Sequence, residues 1–435
     1  MYLRTMRVTE YGRPNDGSIC PSRTYGSMSR PGQVRRRDEM GLECVALDVH
    51  KRTVTASYVG GDCDIKTWKF PTTRERIVNE LKQYGNMPVV LEASTTGKAV
   101  ASLLIAEGRE LHMAAPNMVA MIAKAQVKTD KRDAETLAHL YRSGFLPECY
   151  VPPPDIEMLR LIVRQRRDIG YKLSLVKNQI HSLVSRNLLD TEMAGISDWF
   201  GVRGLRRLGA LPLPNYEMHN LFLYLSQVKS LVSMEEQLQS QLALIAKDRE
   251  DARLLMTIPG IHYFTALGIV AEIGDIRRFP TKHHLTSYAA LVPRADNSGD
   301  RISKHNHVKS GDLVLKSLLC VAIQGMLKSA NETAVARFYH KKENKIGAAK
   351  AQIAAARKLA CVVWAVLTYG KPYVEEDEGL TARKTIGMNR DAKRALAFSE
   401  EQLSAVTEML CTKSGVIDKL MEEVGDDSIE DEKEE

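Results

Sequence analysis

Apolar and polar positions change rhythm twice along this chain. Between residues 43 and 145 the apolar residues come in short runs. Glu43–Asp48, Thr53–Val59 and Ile65–Phe70 are each six or seven residues long, the last two rich in β-branched or aromatic side chains, and they lie close enough in sequence for a meander of three strands. A helical spacing follows over 74–84, then a strand at 89–92, a helix at 97–107, a strand at 110–115, and helices near 117–126 and 131–142. The order βββαβαβα predicts a mixed sheet with helices on its faces.

That element order is the order of an RNase H-like (RuvC-like) α/β fold. There the first and fourth strands are parallel neighbours and a last helix crosses the sheet. After the stiff run Val151-Pro152-Pro153-Pro154 the rhythm becomes helical. Leu159, Ile162, Val163, Ile169, Leu173, Val176 and Ile180 form one stripe within 155–190; Leu225, Val228, Leu231, Leu238 and Leu242 form another within 216–255. Such stripes serve an antiparallel helical pair or coiled-coil arm, as an oligomerisation element or equally as intramolecular core. The stretch 191–215, with Gly, Pro and Arg, predicts an irregular linker. From 253 to 375 the pattern is mainly α. It holds the turn Ile258-Pro259-Gly260-Ile261, which has helix-hairpin-helix character and would offer backbone N–H groups to phosphate. A polar loop from Leu291 to Arg301 comes next, then helices near 311–329 and 348–369. The divisions are 1–40 as a disordered basic arm, 41–150 as an α/β domain, 151–252 as a helical coiled-coil region, 253–375 as a mainly helical C-terminal domain, and 376–435 as an extension with an acidic tail.

Composition narrows the class. The chain has 435 residues, a net charge of +7, and seven cysteines with no CxxC pair. The cysteines argue for a reducing cytoplasm and against a zinc or disulfide framework. No run approaches an uninterrupted apolar membrane span, and no secretory h-region opens the chain. Residues 421–435 hold nine acids and one lysine, so the remainder is strongly basic, as in a protein that binds nucleic acid. Residues 1–40 carry eight arginines; Met40 stands directly before the first strand, so this arm is either a true arm or an upstream start assignment.

The candidate chemistry lies in four acids. Asp48 and Glu92 each sit at the end of an apolar strand run, and Asp130 and Asp133 open a helical pattern at a spacing that puts both on one face. Oxygen-only ligands from two strand ends and a helix start suit hard divalent cations, a pair of Mg²⁺ with Mn²⁺ as the alternative. Singly, each has a bland role: Glu92 pairing with Lys98, Asp130 as an N-cap, Asp133 favouring the helix dipole. Taken together they point to a metal site. Glu135 reads as a spare surface acid, and His50 is assigned no role.

The segments Ala46-Leu47-Asp48-Val49-His50-Lys51, Leu91-Glu92-Ala93-Ser94, Lys128-Thr129-Asp130-Lys131-Arg132-Asp133-Ala134, Ile258-Pro259-Gly260-Ile261, Leu291-Val292-Pro293, Ser298-Gly299 and Ala356-Arg357-Lys358-Leu359-Ala360 occur in this order. In this the chain resembles, from about 43 to 375, the DEDD transposases of the insertion-sequence one-ten family, with its eleven-eleven subgroup and the related Piv-type DNA invertases. The resemblance implies a RuvC-like domain, a coiled coil and a C-terminal transposase domain that together cut and rejoin double-stranded DNA. It implies divalent metal on Asp48, Glu92, Asp130 and Asp133, and Ser298 as a nucleophile that links covalently to DNA. It also implies a structured bridge RNA that selects the site, and a homo-oligomer, dimer or tetramer, in which one subunit completes another's site. Asp300-Arg301-Ile302-Ser303-Lys304 departs from the more basic, glycine-rich stretch usual after that serine, which leaves Ser303 and Ser310 as alternatives. Lys128, Lys131, Arg132, Arg294, Arg301, Lys304 and Lys309 are the expected nucleic-acid contacts, against a solvated basic face. Rival readings are a junction-resolving nuclease using activated water, a Piv-like invertase, and a nucleic-acid-binding protein without catalysis.

Overall fold

The computed structural model describes residues 43–60, 65–122, 130–292, 311–330 and 332–395. The arm at 1–40 and the acidic tail lie outside the described residues. So do Lys128, Arg294, Ser298, Arg301, Ser303, Lys304, Lys309, Ser310 and the side chain of Asp130.

Strands β1 (Cys44–Val49), β2 (Thr53–Val59), β3 (Ile65–Pro71), β4 (Val89–Glu92) and β5 (Leu111–Ala114) form one sheet in the order β3-β2-β1-β4-β5. β1 pairs antiparallel with β2 and parallel with β4, with Leu47 opposite Leu91. The meander arises from two short connections, and the crossover to β4 runs through α1 (Arg74–Lys82). α1 begins where the Thr73 hydroxyl accepts from Arg76 N. α2 (Thr95–Ala106) joins α1 on one face of the sheet, over Val45, Leu47, Val89 and Leu91. α3 (Pro116–Ile122) follows β5, and α4 (Asp130–Arg142) covers the opposite face. The sequence placed these elements within a few residues. The N-terminal part is therefore an α/β sheet, and the rest is mostly helical.

Pro154 opens α5 (Pro154–Arg186), where its missing N–H costs nothing. α7 (Asn215–Lys247) runs back along it. The expected stripes turn out to be intramolecular. Ile156, Leu159 and Val163 join the C-terminal core with Leu242 and Ala246, while Leu173, Val176, Ile180 and Val228 build a second core at the far end. The stretch expected to be irregular is instead folded: a 3₁₀ turn at Asp190–Met193 and α6 (Val202–Gly209) close that end by burying Met193 and Leu208. The helical pattern over 216–255 is also broken, into α7 and α8 (Glu250–Met256).

α9 (Tyr263–Ile273), α10 (Lys282–Tyr288), α11 (Leu313–Ser329), α12 (Ala334–Ile346) and α13 (Ala348–Tyr369) complete the C-terminal core. α13 is long and apolar enough to cross a membrane by length and composition, yet Ala351, Ala355, Leu359, Ala360 and Val363 all lie in this core. A helical run at 378–395 docks onto it through Met388 and Ala392. Here Lys384 is buried and donates to the carbonyls of Met256 and Ile258 at 2.6 and 2.9 Å; burial pushes its pKa down to about 8.

The turn between α8 and α9 corrects an expectation. Ile258 and Ile261 are fully buried, and Gly260 has φ +81°. A Cβ on Gly260 would run into the Ala322 carbonyl of α11, so this turn faces protein and offers no surface to phosphate. Gly260→Ala should therefore cost on the order of 3 kcal/mol through strain and overpacking, seen as a lowered midpoint in thermal or urea unfolding. A solvent-facing phosphate turn would instead lose nucleic-acid affinity with little loss of stability.

Candidate active site

Alternation along β1 sends Val45, Leu47 and Val49 toward α1 and α2, and Cys44, Ala46 and Asp48 toward α4. On β4, Val90 and hence Glu92 take the same face as Asp48. Because Leu47 is opposite Leu91 in a parallel pair, Asp48 and Glu92 are the next residues in register on adjacent strands. The chain turns into α2 directly after Glu92. The Ser94 hydroxyl caps that helix on Gly97 N at 2.8 Å, and Gly97 must be glycine because a Cβ there would run into the Glu92 carbonyl.

α4 lays Ala134, Leu137, Ala138 and Tyr141 on this face, each no more than 3% exposed. Its direction follows from two contacts. Cys44 Sγ meets the Ala138 carbonyl at 3.9 Å, and Thr67 Oγ1 donates to Glu135 Oε1 at 3.2 Å. Thr67 is level with Ser57 and Ala46, so α4 runs antiparallel to β1 and its first turn lies toward the Asp48 end. Asp133 is half-buried there, and Asp130 is the first helical residue. Glu135, expected to be a solvated surface acid, instead binds β3 and stands 3.8 Å from the exposed Lys131. Arg132 is exposed.

Asp48 is 8% exposed, and His50 Nε2 lies 3.1 Å from its Oδ2. Directly across the β1–β2 pair stands Thr55, followed on β3 by Lys69. One polar row, Glu92, Asp48, Thr55 and Lys69, thus crosses four strands. Thr55 and Ser57 are fully buried, and neither hydroxyl has a hydrogen-bond partner among the described residues. Sequence reasoning passed over His50, Thr55 and Lys69. A usable signal existed: counting back through the short β1–β2 connection sets Thr55 opposite Asp48, and Thr and Ser at alternate inward positions are odd in an apolar strand.

Could this face hold a divalent cation? Its donors are hard oxygens, as such an ion requires. A buried carboxylate beside an unsatisfied hydroxyl is also costly unless something else completes the group. Among the described residues no three acidic, histidine or cysteine side chains stand as a ready-made ligand set. Asp48, Glu92 and Asp133 share a face, and the side chain of Asp130, which would complete them, lies outside the description.

The segment carrying Ser298 is anchored at both ends in the C-terminal core. Leu291 is buried, and Asp312 N donates to the Tyr288 carbonyl at 2.7 Å. Asp312 then caps α11 by accepting from Leu315 N at 2.9 Å. An open cleft of about 610 Å³ beside these ends is lined by Arg164, Arg167, Asp168 and residues 311–314. Arg164 is held by the fully buried Glu272 at 2.8 Å.

The sequence matches two family models in that same order. Residues 45–187 match a DEDD transposase model of the IS110 type, and residues 252–340 match the model described as Transposase IS116/IS110/IS902 family. The chain belongs to the IS110-type DEDD transposases. The two matches together cover more than half of the chain. It is 27% identical over 366 residues to the transposase for insertion sequence element IS1111A of Coxiella burnetii, covering 78% of this chain and 93% of that protein. It is 24% identical over 356 residues to the pilin gene-inverting protein of Moraxella bovis, covering 77% and 98% respectively. With the transposase for IS1328 of Yersinia enterocolitica it shares 24% identity, over 65% of this chain and 84% of that one. This is thus an insertion-sequence transposase, of a family of DNA-cutting enzymes whose acidic residues imply dependence on divalent metal.

The far end of α4 in this transposase is fixed by a titratable cluster. His112 on β5 contacts Glu148 at 3.0 Å, Glu110 at 3.1 Å and the Tyr141 hydroxyl at 3.3 Å. Burial pulls the His112 pKa down, but the two carboxylates outweigh it and the pKa is raised above its ordinary 6.5. A raised histidine pKa gives stability that is fully present below the unfolded value and is lost as pH rises through the folded value. Thermal stability should therefore fall as pH rises above about 6.5 more steeply in the wild type than in His112→Gln, and the imidazole should titrate by NMR above 6.5. Identical profiles for the two proteins would remove His112 as an anchor of α4.

Proposed function

We propose that this transposase cuts and rejoins double-stranded DNA at an RNase H-like acidic site, with Ser298 as the nucleophile and a bridge RNA as guide. The observation that carries the reading is the parallel β1–β4 pair. It sets Asp48 and Glu92 side by side beneath the first turn of α4, where Asp130 and Asp133 lie. The strand order β3-β2-β1-β4-β5 and the crossing of α4 support the RNase H-like assignment.

In this reading Asp48, Glu92, Asp130 and Asp133 hold Mg²⁺, two ions with Mn²⁺ as a substitute. When bound, such ions neutralise phosphate charge and ease loss of a hydroxyl proton. His50 orients the Asp48 carboxylate. A serine hydroxyl is a weak nucleophile at neutral pH, so Ser298 needs the acidic site beside it. The Ser298 Oγ–phosphorus bond forms as the phosphorus bond to a deoxyribose oxygen breaks, and that oxygen takes up the proton the serine gives. Reversal with another strand's hydroxyl reseals the DNA without net hydrolysis. Lys128, Lys131, Arg132, Arg294, Arg301, Lys304 and Lys309 contact phosphates. Aromatic residues make up only 6% of the chain, which suits recognition by backbone and shape, with sequence read by RNA pairing. Exposed Tyr171, Phe222, Leu223 and Met234 on the α5–α7 pair support association into a homo-oligomer.

A second reading, inversion of a DNA segment without mobilising an element, has one observation in its favour: the similarity spans 98% of the pilin gene-inverting protein. It uses the same residues on other DNA sites.

The test is a trapping assay. Protein, element-end DNA, the flanking RNA and Mg²⁺ are incubated, denatured, and examined for protein joined to DNA. The adduct should form with the wild type and disappear in Ser298→Ala and in Asp48→Ala. Cleavage without an adduct, unchanged by Ser298→Ala, would mean a hydrolytic nuclease.

A further inference from the structure

Thr55 is a residue that stability alone does not account for. It lies on β2 between Val54 and Ala56, is fully buried, and its hydroxyl has no hydrogen-bond partner among the described residues. An unsatisfied hydroxyl in a sheet interior is destabilising, and valine has the same shape without that cost. Its place gives the reason. The β1–β2 register sets Thr55 directly opposite Asp48, with both on the face beneath α4. His50 already occupies Asp48 Oδ2 at 3.1 Å.

We propose that Thr55 is a positioning residue of the acidic site, its hydroxyl donating to the Asp48 carboxylate when the acids close on a divalent ion. This rests on the reading of Asp48 as an ion ligand. Asp48, Glu92 and Asp133 share a face without forming a set of three ligands among the described residues, and a bound ion would draw their carboxylates together. A hydroxyl held ready across the strand pair then fixes the orientation of Asp48, as outer partners do for ligands elsewhere. Ser57 supplies the internal control. It is equally buried and, among the described residues, equally unpartnered, one step along the same face, but it stands opposite Ala46 rather than a carboxylate.

The experiment measures Mn²⁺ binding to the full-length protein by the loss of the free-ion electron paramagnetic resonance signal, with thermal stability in parallel. Asp48→Asn should abolish saturable binding. Thr55→Val should weaken it roughly tenfold or more while raising the melting temperature. Thr55→Ser should retain affinity within a few-fold, and Ser57→Ala should raise the melting temperature with affinity unchanged. Thr55→Val binding like the wild type, with Asp48→Asn inactive in binding, would overturn the role of Thr55 alone. Equal losses in Thr55→Val and Ser57→Ala would also overturn it, as a packing effect. Binding that is indifferent to Asp48→Asn would overturn the ion-ligand reading itself.

Discussion

The parallel pairing of β1 with β4 is the constraint on which the acidic site depends. Parallel neighbours need a crossover, which α1 supplies after the three-stranded meander has turned the chain back. Once Leu47 stands opposite Leu91, the next residue on each strand is an acid, and both acids face α4. A shift of one residue in either strand would turn its acid toward α1 and α2, into the apolar face built by Val45, Leu47, Val89 and Leu91. The packing of that face therefore fixes where the carboxylates go.

The helical part is tied together by a buried charge. Glu272 on α9 is fully buried and binds Arg164 of α5 at 2.8 Å, with Arg160 at 3.7 Å. Arg160 also donates to the Ala271 and Glu272 carbonyls, and the Tyr288 hydroxyl donates to the latter. Arg278 lies over the rings of Tyr150, Phe279 and Tyr288, so the exit from the α/β sheet, α5 and the base of the Ser298 segment meet in one network. Such a network is weak evidence for added stability, because desolvation offsets attraction. It does specify orientation, and Tyr288 is the residue whose carbonyl closes the two ends of that segment.

The sheet was legible because its strands are short apolar runs set off by polar and turn residues. Asp48 and Glu92 could be named as polar residues ending apolar runs, and Asp130 and Asp133 by their i, i+3 spacing at the start of a helical pattern. What escaped depended on tertiary packing. Thr55 and Lys69 gain meaning only from register, and Glu135 from the proximity of Thr67. α6 reads as linker in the sequence because Gly204 and Gly209 within it, and Gly201 at its N-cap, mask its helicity; a Cβ on Gly204 would run into the Trp199 backbone. The Ile258–Ile261 turn has the sequence of a phosphate-binding hairpin and the burial of a core contact, and only α11 distinguishes them.

Asp48 and Glu92, next in register on adjacent strands, are proposed to hold a divalent ion together. Anomalous diffraction from crystals of the full chain grown with Mn²⁺ tests it most directly. An ion held by both acids would give an anomalous peak within bonding distance of both carboxylates, beneath the first turn of α4. Ordered density for both side chains with no peak between them, or a peak bound by other residues alone, would contradict it.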